Sequence, residues 1–404
     1  MRAAIIAFNY SKNLEYLSQK LLQQGIEIEN CLIISQDMSK LEEAYKAATQ
    51  KCNLVFFVGG IGISQSDIVK EFLSQRLRVN LMYSKKAQEY FNNYFTISGQ
   101  SIPPIYAQEK LLNYPENFDT FPSIYGFEMP AIGKFGNLQI ILLPENHEEI
   151  INVYETYLKK HFENFFDDKP AVAFFKVFGL RKDEIEDKVK ELKRLGNCFS
   201  FNLNIDDALD TLVTIKFNKG TRKTTVDRVL PAIYDAFADE MYCDGNMGLE
   251  EVMLYLLESN SRKLGVAESI TGGMLCSSIV SISGASKVFQ EGCITYSNES
   301  KQMRLLVKPL TISQHGAVSS QAAYEMAVGL LNTTKSDTVL AVTGIAGPKG
   351  GNASKPVGRT YISVGDYKGI HVYEYTFSGA RNQIRLKATK TAIYLLIKHL
   401  KKNR

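Results

Sequence analysis

Several of the patterns by which function is most readily read are missing from this chain. Its six cysteines, Cys31, Cys52, Cys198, Cys243, Cys276 and Cys293, are scattered, and no two form a C-x-x-C pair. None has a histidine partner at zinc-finger spacing, which argues against a structural zinc site and a dithiol redox centre. Reduced thiols in a cytosol are the expectation. Histidine is scarce, and His147, His161, His315, His371 and His399 never fall into H-x-x-x-H or H-E-x-x-H, so no metal site is expected from them. Charge of one sign is equally scarce: 47 basic and 43 acidic residues leave a net charge of +4. A duplex-binding protein concentrates basic residues on one face, so nucleic acid is not an expected partner. No stretch approaches the roughly 18 to 20 apolar residues that a membrane span requires. The apolar run at residues 3–8 is too short for a signal h-region and reads as a first strand. A cytoplasmic protein without a membrane partner is expected.

What remains is ordinary globular material, 45% apolar and 22% charged over 404 residues. That length implies two or three domains, each able to bury a core. Residues 3–8, 26–34 and 54–58 read as strands. Between them, Leu14, Leu17 and Leu21 recur at helical spacing up to Gly25, and Leu41, Ala44, Tyr45 and Ala48 form a stripe behind a Ser39–Glu42 capping box. Strands alternating with helices at this pace predict a doubly wound parallel sheet, with ligands bound at the carboxyl ends of its strands. The glycine-rich loop GGIGISQSD at residues 59–67 falls in that place.

From residue 171 the pattern changes to a small α+β unit. A strand is followed by a helix capped by Asp183 with Glu186 and ended by Gly196, then by strands near 199–203 and 212–217 and a helix carrying Val226, Val229, Leu230, Ile233 and Phe237. Lys216, Lys219, Arg222, Lys223 and Arg228 make a basic cluster that reads as a solvated face, since Gly220 stands without the second glycine of a G-x-x-G loop. A hinge is expected at residues 244–248. Alternation of helices and strands then resumes from residue 248, with Ala323, Met326, Ala327, Leu330 and Leu331 as a core stripe and a last helix through Ala388, Ala392, Leu395, Leu396 and His399. Its terminal lysines favour the helix dipole.

The stretch most suggestive of chemistry is AESITGG at residues 267–273. A strand ending in small residues, with two glycines opening a helix, points backbone N–H groups at one place and attracts anions. Downstream stand Ser286, Tyr296 and Lys301, the parts of a hydroxyl nucleophile activated by a nearby amine. Their spacing does not itself bring them together.

AESITGG, with GASKVFQEGCITYSNESK, HGAVS, AVTGIAGPKGG and KPVG following in order, resembles the C-terminal domain of the competence/damage-inducible protein A (CinA) family over roughly residues 248–400. The resemblance implies three parts: residues 1–168 as a molybdopterin-binding-like domain, 169–246 as a small KH-like linker domain, and 247–404 as a three-layer α/β amidase domain. It implies deamidation of nicotinamide mononucleotide with no cofactor. Ser286 aligns with the family nucleophile, Lys301 with its base and Tyr296 with its tyrosine. Ser269, Thr271, Gly272, Gly273, Thr343, Gly344 and Arg381 match substrate-binding positions. A lysine base needs a dry pocket that lowers its pKa from about 10.4. Ala380 stands where the family's G-D-R motif has aspartate, which removes a partner for Arg381. Family members of this kind associate as dimers, and a homodimer is carried over as an expectation.

The glycine loop at 59–67 resembles the TGG-x-G-P-T-x-D-D loop of the same family, some of whose members hydrolyse ADP-ribose. Ile63 replaces the proline, Ser66 the first aspartate, and Asn9 to Asn13 lack the acidic G-x-E-L-L motif. Leu143-Pro144-Glu145-Asn146-His147 stands for L-P-G-P-P. Pyrophosphate hydrolysis uses carboxylates to hold a divalent metal, so a retained fold with little activity is expected, and a divalent metal matters only if this domain is active. ADP-ribose hydrolysis and a non-catalytic, partner-binding role are the competing readings.

Overall fold

The computed structural model describes residues 1–163, 172–218 and 220–402, so Lys219 of the basic cluster and the expected boundary at residue 168 lie outside the described residues. The chain forms two compact units, Met1–Pro170 and Ala171–Arg404. Among the described residues no helix is long and apolar enough to cross a membrane.

In the first unit, Glu27–Ile33, Arg2–Ala7, Leu54–Val58 and Leu138–Leu143 lie side by side in that order as a parallel sheet. Ala131–Phe135 and Phe118–Thr120 extend it antiparallel. The inner strands are continuous apolar runs because both faces are covered. Ala4, Ile6, Val55 and Phe57 pack with Leu41, Ala44, Tyr45 and Ala48 of the helix Met38–Lys51. The alternate residues Ile5 and Phe56 pack with Leu14, Leu17 and Leu21 of the helix Lys12–Gln23 on the other face. The capping box expected at Ser39 is displaced: Asp37 caps this helix, accepting from Ser39 N at 2.9 Å and Lys40 N at 3.2 Å. A carboxylate at a helix N-terminus also meets the dipole favourably.

The second unit begins with an antiparallel sheet ordered Phe199–Ile205, Asp210–Phe217, Val172–Phe178, Met241–Asp244. Its first helix, Lys182–Leu192, is capped two residues earlier than expected, by Glu184 accepting from Arg181 N at 2.8 Å. Met241–Asp244 enters the segment expected as a hinge. Tyr242 and Cys243 are buried there and share a core with Leu249, Val252 and Met253 of the next helix, Leu249–Ser259. The small sheet and the following layers therefore pack as one body.

The second sheet runs Phe289–Ile294, Leu264–Glu268, Thr338–Gly344, Arg359–Asp366, Gly369–Thr376. The first three strands are parallel and the last two form an antiparallel hairpin. Val266, Leu340, Val342 and Ile362 pack against the helices Leu249–Ser259 and Arg381–Lys402. Ala267, Val339 and Ala341 face Met326, Ala327 and Leu330 of Ser320–Thr333 on the opposite side, so the fold is a three-layer α/β sandwich. Gly329 allows the helix Asn298–Leu305 to pack closely here, since a Cβ at 329 would collide with the Leu305 carbonyl.

Candidate active site at the carboxyl end of the second sheet

Leu264–Glu268 is buried along its whole length between two parallel neighbours. Its end is pinned from both sides: Ser269 N donates to Val342 O at 2.9 Å, and Thr295 N donates to Glu268 O at 2.8 Å. Ser269 is thereby held at the mouth of the sheet, 7% exposed.

Lys301 reaches this serine from the helix Asn298–Leu305, whose first turn is fixed by Ser297 Oγ accepting from Ser300 N at 3.0 Å. The Lys301 side chain is only 1% exposed. Its Nζ donates to Ser269 Oγ at 3.0 Å, to Thr295 O at 2.7 Å and to Tyr296 O at 3.4 Å. No carboxylate is among these partners, so burial dominates and pulls the Lys301 pKa down to about 8. The expected dry pocket for a lysine base is present.

The serine in that pocket is Ser269, and the expected pairing of Lys301 with Ser286 is corrected. Ser286 is exposed in the short turn Ala285–Lys287, which enters Phe289–Ile294 from its amino end. The parallel register aligns Leu264 with Phe289 and Glu268 with Ile294, so the length of a strand separates Ser286 from Ser269, on the order of 15 Å. Sequence reading placed Ser269 only in a binding loop; the three-dimensional convergence of residues 32 apart left no periodic signal.

The anion-binding role expected of the glycine turn is also revised. Gly272 and Gly273 adopt φ of +57° and +97°, conformations suited to glycine. The Gly273 amide and two that follow it are taken by the chain itself: Glu268 Oε2 accepts from Gly273 N at 2.8 Å and Leu275 N at 3.1 Å, and Oε1 accepts from Cys276 N at 2.8 Å. Glu268 is fully buried. It stiffens the turn that carries Ser269, and its place at a strand end before two glycines was the available signal. Thr271 is buried, and its carbonyl accepts from Arg385 Nε at 3.2 Å and Nη2 at 2.7 Å.

Arg381 donates through Nη1 to Gly347 O at 2.7 Å and through Nη2 to Tyr296 Oη at 3.1 Å. It therefore joins the loop after Thr338–Gly344 to the exposed tyrosine, and backbone and phenol partners stand where an aspartate was expected. Thr343 is buried and donates to Ala317 O at 2.8 Å; it anchors the loop behind the site. Gly344 backs the same turn, because a Cβ there would stand 2.8 Å from Ile270 Cδ1.

In the first unit, the glycine loop is lined by carboxylates. A Cβ on Gly59 would stand 2.6 Å from Glu145 Oε1, and one on Gly62 would collide with Glu128. Asn9 Nδ2 donates to Glu145 Oε1 at 3.0 Å and Asn13 Nδ2 to Glu145 O at 2.7 Å, so two departures from the family pattern hold each other. Burial, reinforced by Asp67 and Glu145, raises Glu128 to about 7. Asp67, Glu128 and Glu145 gather at this loop, but among the described residues no group of three such side chains is placed to hold a metal ion, so no metal-assisted hydrolytic step follows from it.

These features define a mixed α/β chain in which a buried serine–lysine pair sits beside an arginine-tied loop. Residues 246–400 match the family profile described as CinA C-terminal domain, and residues 7–163 match the one described as Probable molybdopterin binding domain. A competence-damage inducible protein of Caldicellulosiruptor saccharolyticus is 32% identical over 96% of this chain and 94% of its own length. One of Caldanaerobacter subterraneus is 31% identical with the same coverages. The crystal structure of competence/damage inducible protein CihA from Agrobacterium tumefaciens shares 35% identity, covering 38% of this chain and 93% of its own, with a TM-score of 0.37. The chain belongs to the CinA, or competence-damage inducible, family.

Proposed function

We propose that the second unit is an amidohydrolase that converts nicotinamide mononucleotide and water to nicotinate mononucleotide and ammonia. The observation that carries the reading is the buried Lys301 Nζ at 3.0 Å from Ser269 Oγ. A neutral amine in that position accepts the serine proton as Oγ attacks the carboxamide carbon. The tetrahedral oxyanion then collapses, the C–N bond breaks, and the Lys301 ammonium returns the proton to the departing nitrogen. Water repeats the sequence on the acyl-serine, activated by the same amine, and releases the acid.

The surroundings suit a mononucleotide. Arg381 is exposed and placed by Gly347 and Tyr296, and a guanidinium so fixed matches a phosphate. Tyr296 is 61% exposed and offers its ring to the ligand. Glu268 takes the amides of Gly273, Leu275 and Cys276, so these three are not the donors to the oxyanion. The test is incubation of the full chain with nicotinamide mononucleotide, following ammonia and nicotinate mononucleotide in equal amounts. Absence of both products with folded protein refutes the assignment.

A further inference from the structure

The edge strand Gly369–Thr376 and the residue after it place His371, Tyr373, Tyr375 and Phe377 on one face, since alternate strand residues share a face. The Tyr375 and Phe377 rings stack with centroids 5.4 Å apart and planes 6° from parallel. Two cavities, of about 440 and 590 Å³, open against this face and share Tyr375 and Tyr394 as a common wall. Each volume lies in the range of small-molecule sites.

Four lysines around these rings lack carboxylate partners among the described residues. Lys368, Lys398 and Lys402 line the first cavity and Lys387 the second, and none of the four makes an ion pair among the described residues. The acidic residues present are already engaged: Asp366 lies 3.6 Å from both Arg262 and His399, and Glu184 lies 3.3 Å from Arg181. Lys398 Nζ sits 5.6 Å from the centre of the Tyr394 ring, and Lys387 Nζ donates to Ser378 O at 2.9 Å. Flat rings flanked by uncompensated ammonium groups recognise a heteroaromatic base carrying phosphate.

We propose that this aromatic trough is a second nucleotide-binding site, distinct from the Ser269–Lys301 pocket, with which it shares no residue. The bases stack on the Tyr373–Phe377 face and the phosphates meet Lys398, Lys402 and Lys387. The near-neutral net charge of the whole chain hides this local excess. From residue 371 to 377 the face extends about 20 Å, long enough for a single-stranded segment as well as a free nucleotide.

The chain contains no tryptophan, so Tyr373→Trp installs a unique reporter in the trough. The full-length variant is titrated with adenosine monophosphate and, separately, with a ten-nucleotide oligodeoxythymidylate. Quenching by either probe is expected. Tenfold tighter, salt-sensitive binding of the oligomer identifies a single strand as the ligand, and comparable affinity identifies the free nucleotide. Lys398 and Lys402 are exposed, so the Lys398→Glu/Lys402→Glu double variant retains its fold and is expected to lose at least tenfold in affinity. Lys301→Met, in the other pocket, leaves binding unchanged. Anisotropy of a labelled oligomer and of a labelled nucleotide with the unsubstituted protein guards against a disturbance by the tryptophan. Binding of neither probe, indifference to the double charge reversal, or loss with Lys301→Met overturns the proposal.

Discussion

Lys301 ties the proposed chemistry to a measurable pH dependence. With its pKa pulled down to about 8 by burial, roughly 1% of the amine is neutral at pH 6, roughly 10% at pH 7 and about half at pH 8. The account therefore expects kcat/KM for deamidation to rise about tenfold from pH 6 to pH 7 and to level off above pH 9. Lys301→Arg keeps a cation that does not deprotonate, so it loses on the order of 10³ in kcat. Stability moves with the same group. The folded state holds the amine at about 8 against 10.5 for the free side chain, so the unfolded chain binds more protons between those values and stability rises with pH across that window. Below it the buried amine opposes folding by about 3 kcal/mol. Lys301→Met removes this term, although it leaves the Thr295 carbonyl without its 2.7 Å donor, a loss of about 1–3 kcal/mol. Urea melts at pH 7 and pH 9.5 should show the wild type gaining on Lys301→Met as pH rises. A flat rate profile together with an active Lys301→Arg enzyme would refute the reasoning.

Glu268→Gln should lower stability by about 2–4 kcal/mol, because an amide group then faces N–H donors that a buried carboxylate now satisfies; denaturant midpoints measure it, and a change under 0.5 kcal/mol would contradict the role given to Glu268. Arg381→Lys should raise KM for nicotinamide mononucleotide by about tenfold or more with a smaller change in kcat, since an ammonium lacks the fork that spans Gly347 and Tyr296. Steady-state kinetics decide it, and an unchanged KM would remove Arg381 from phosphate recognition.

Much of this architecture was legible because both sheets announce themselves through periodicity. The buried runs at 54–58 and 264–268 and the helical stripes through Leu41 and Met326 each occupy the layer their spacing implies. Met241–Asp244 was missed because four residues beside glycine and asparagine carry too short a pattern to separate from a hinge. The burial expected of Lys301 is found. Its partner was not legible, because Ser286 is much the nearer of the two serines in sequence and only the parallel register shows which end of the sheet each occupies. The same limit applies to Glu268: a glycine turn before a helix reads as an open anion site until a neighbouring carboxylate is found to fill it.

The most direct test compares two single variants, Ser269→Ala and Ser286→Ala, in steady-state ammonia release from nicotinamide mononucleotide, with circular dichroism to establish folding. The account predicts that Ser269→Ala loses on the order of 10³ or more in kcat. Ser286→Ala, exposed at the far end of the sheet, is predicted to stay within about threefold of wild type. An inactive Ser286→Ala enzyme beside an active Ser269→Ala enzyme would contradict the account at its centre.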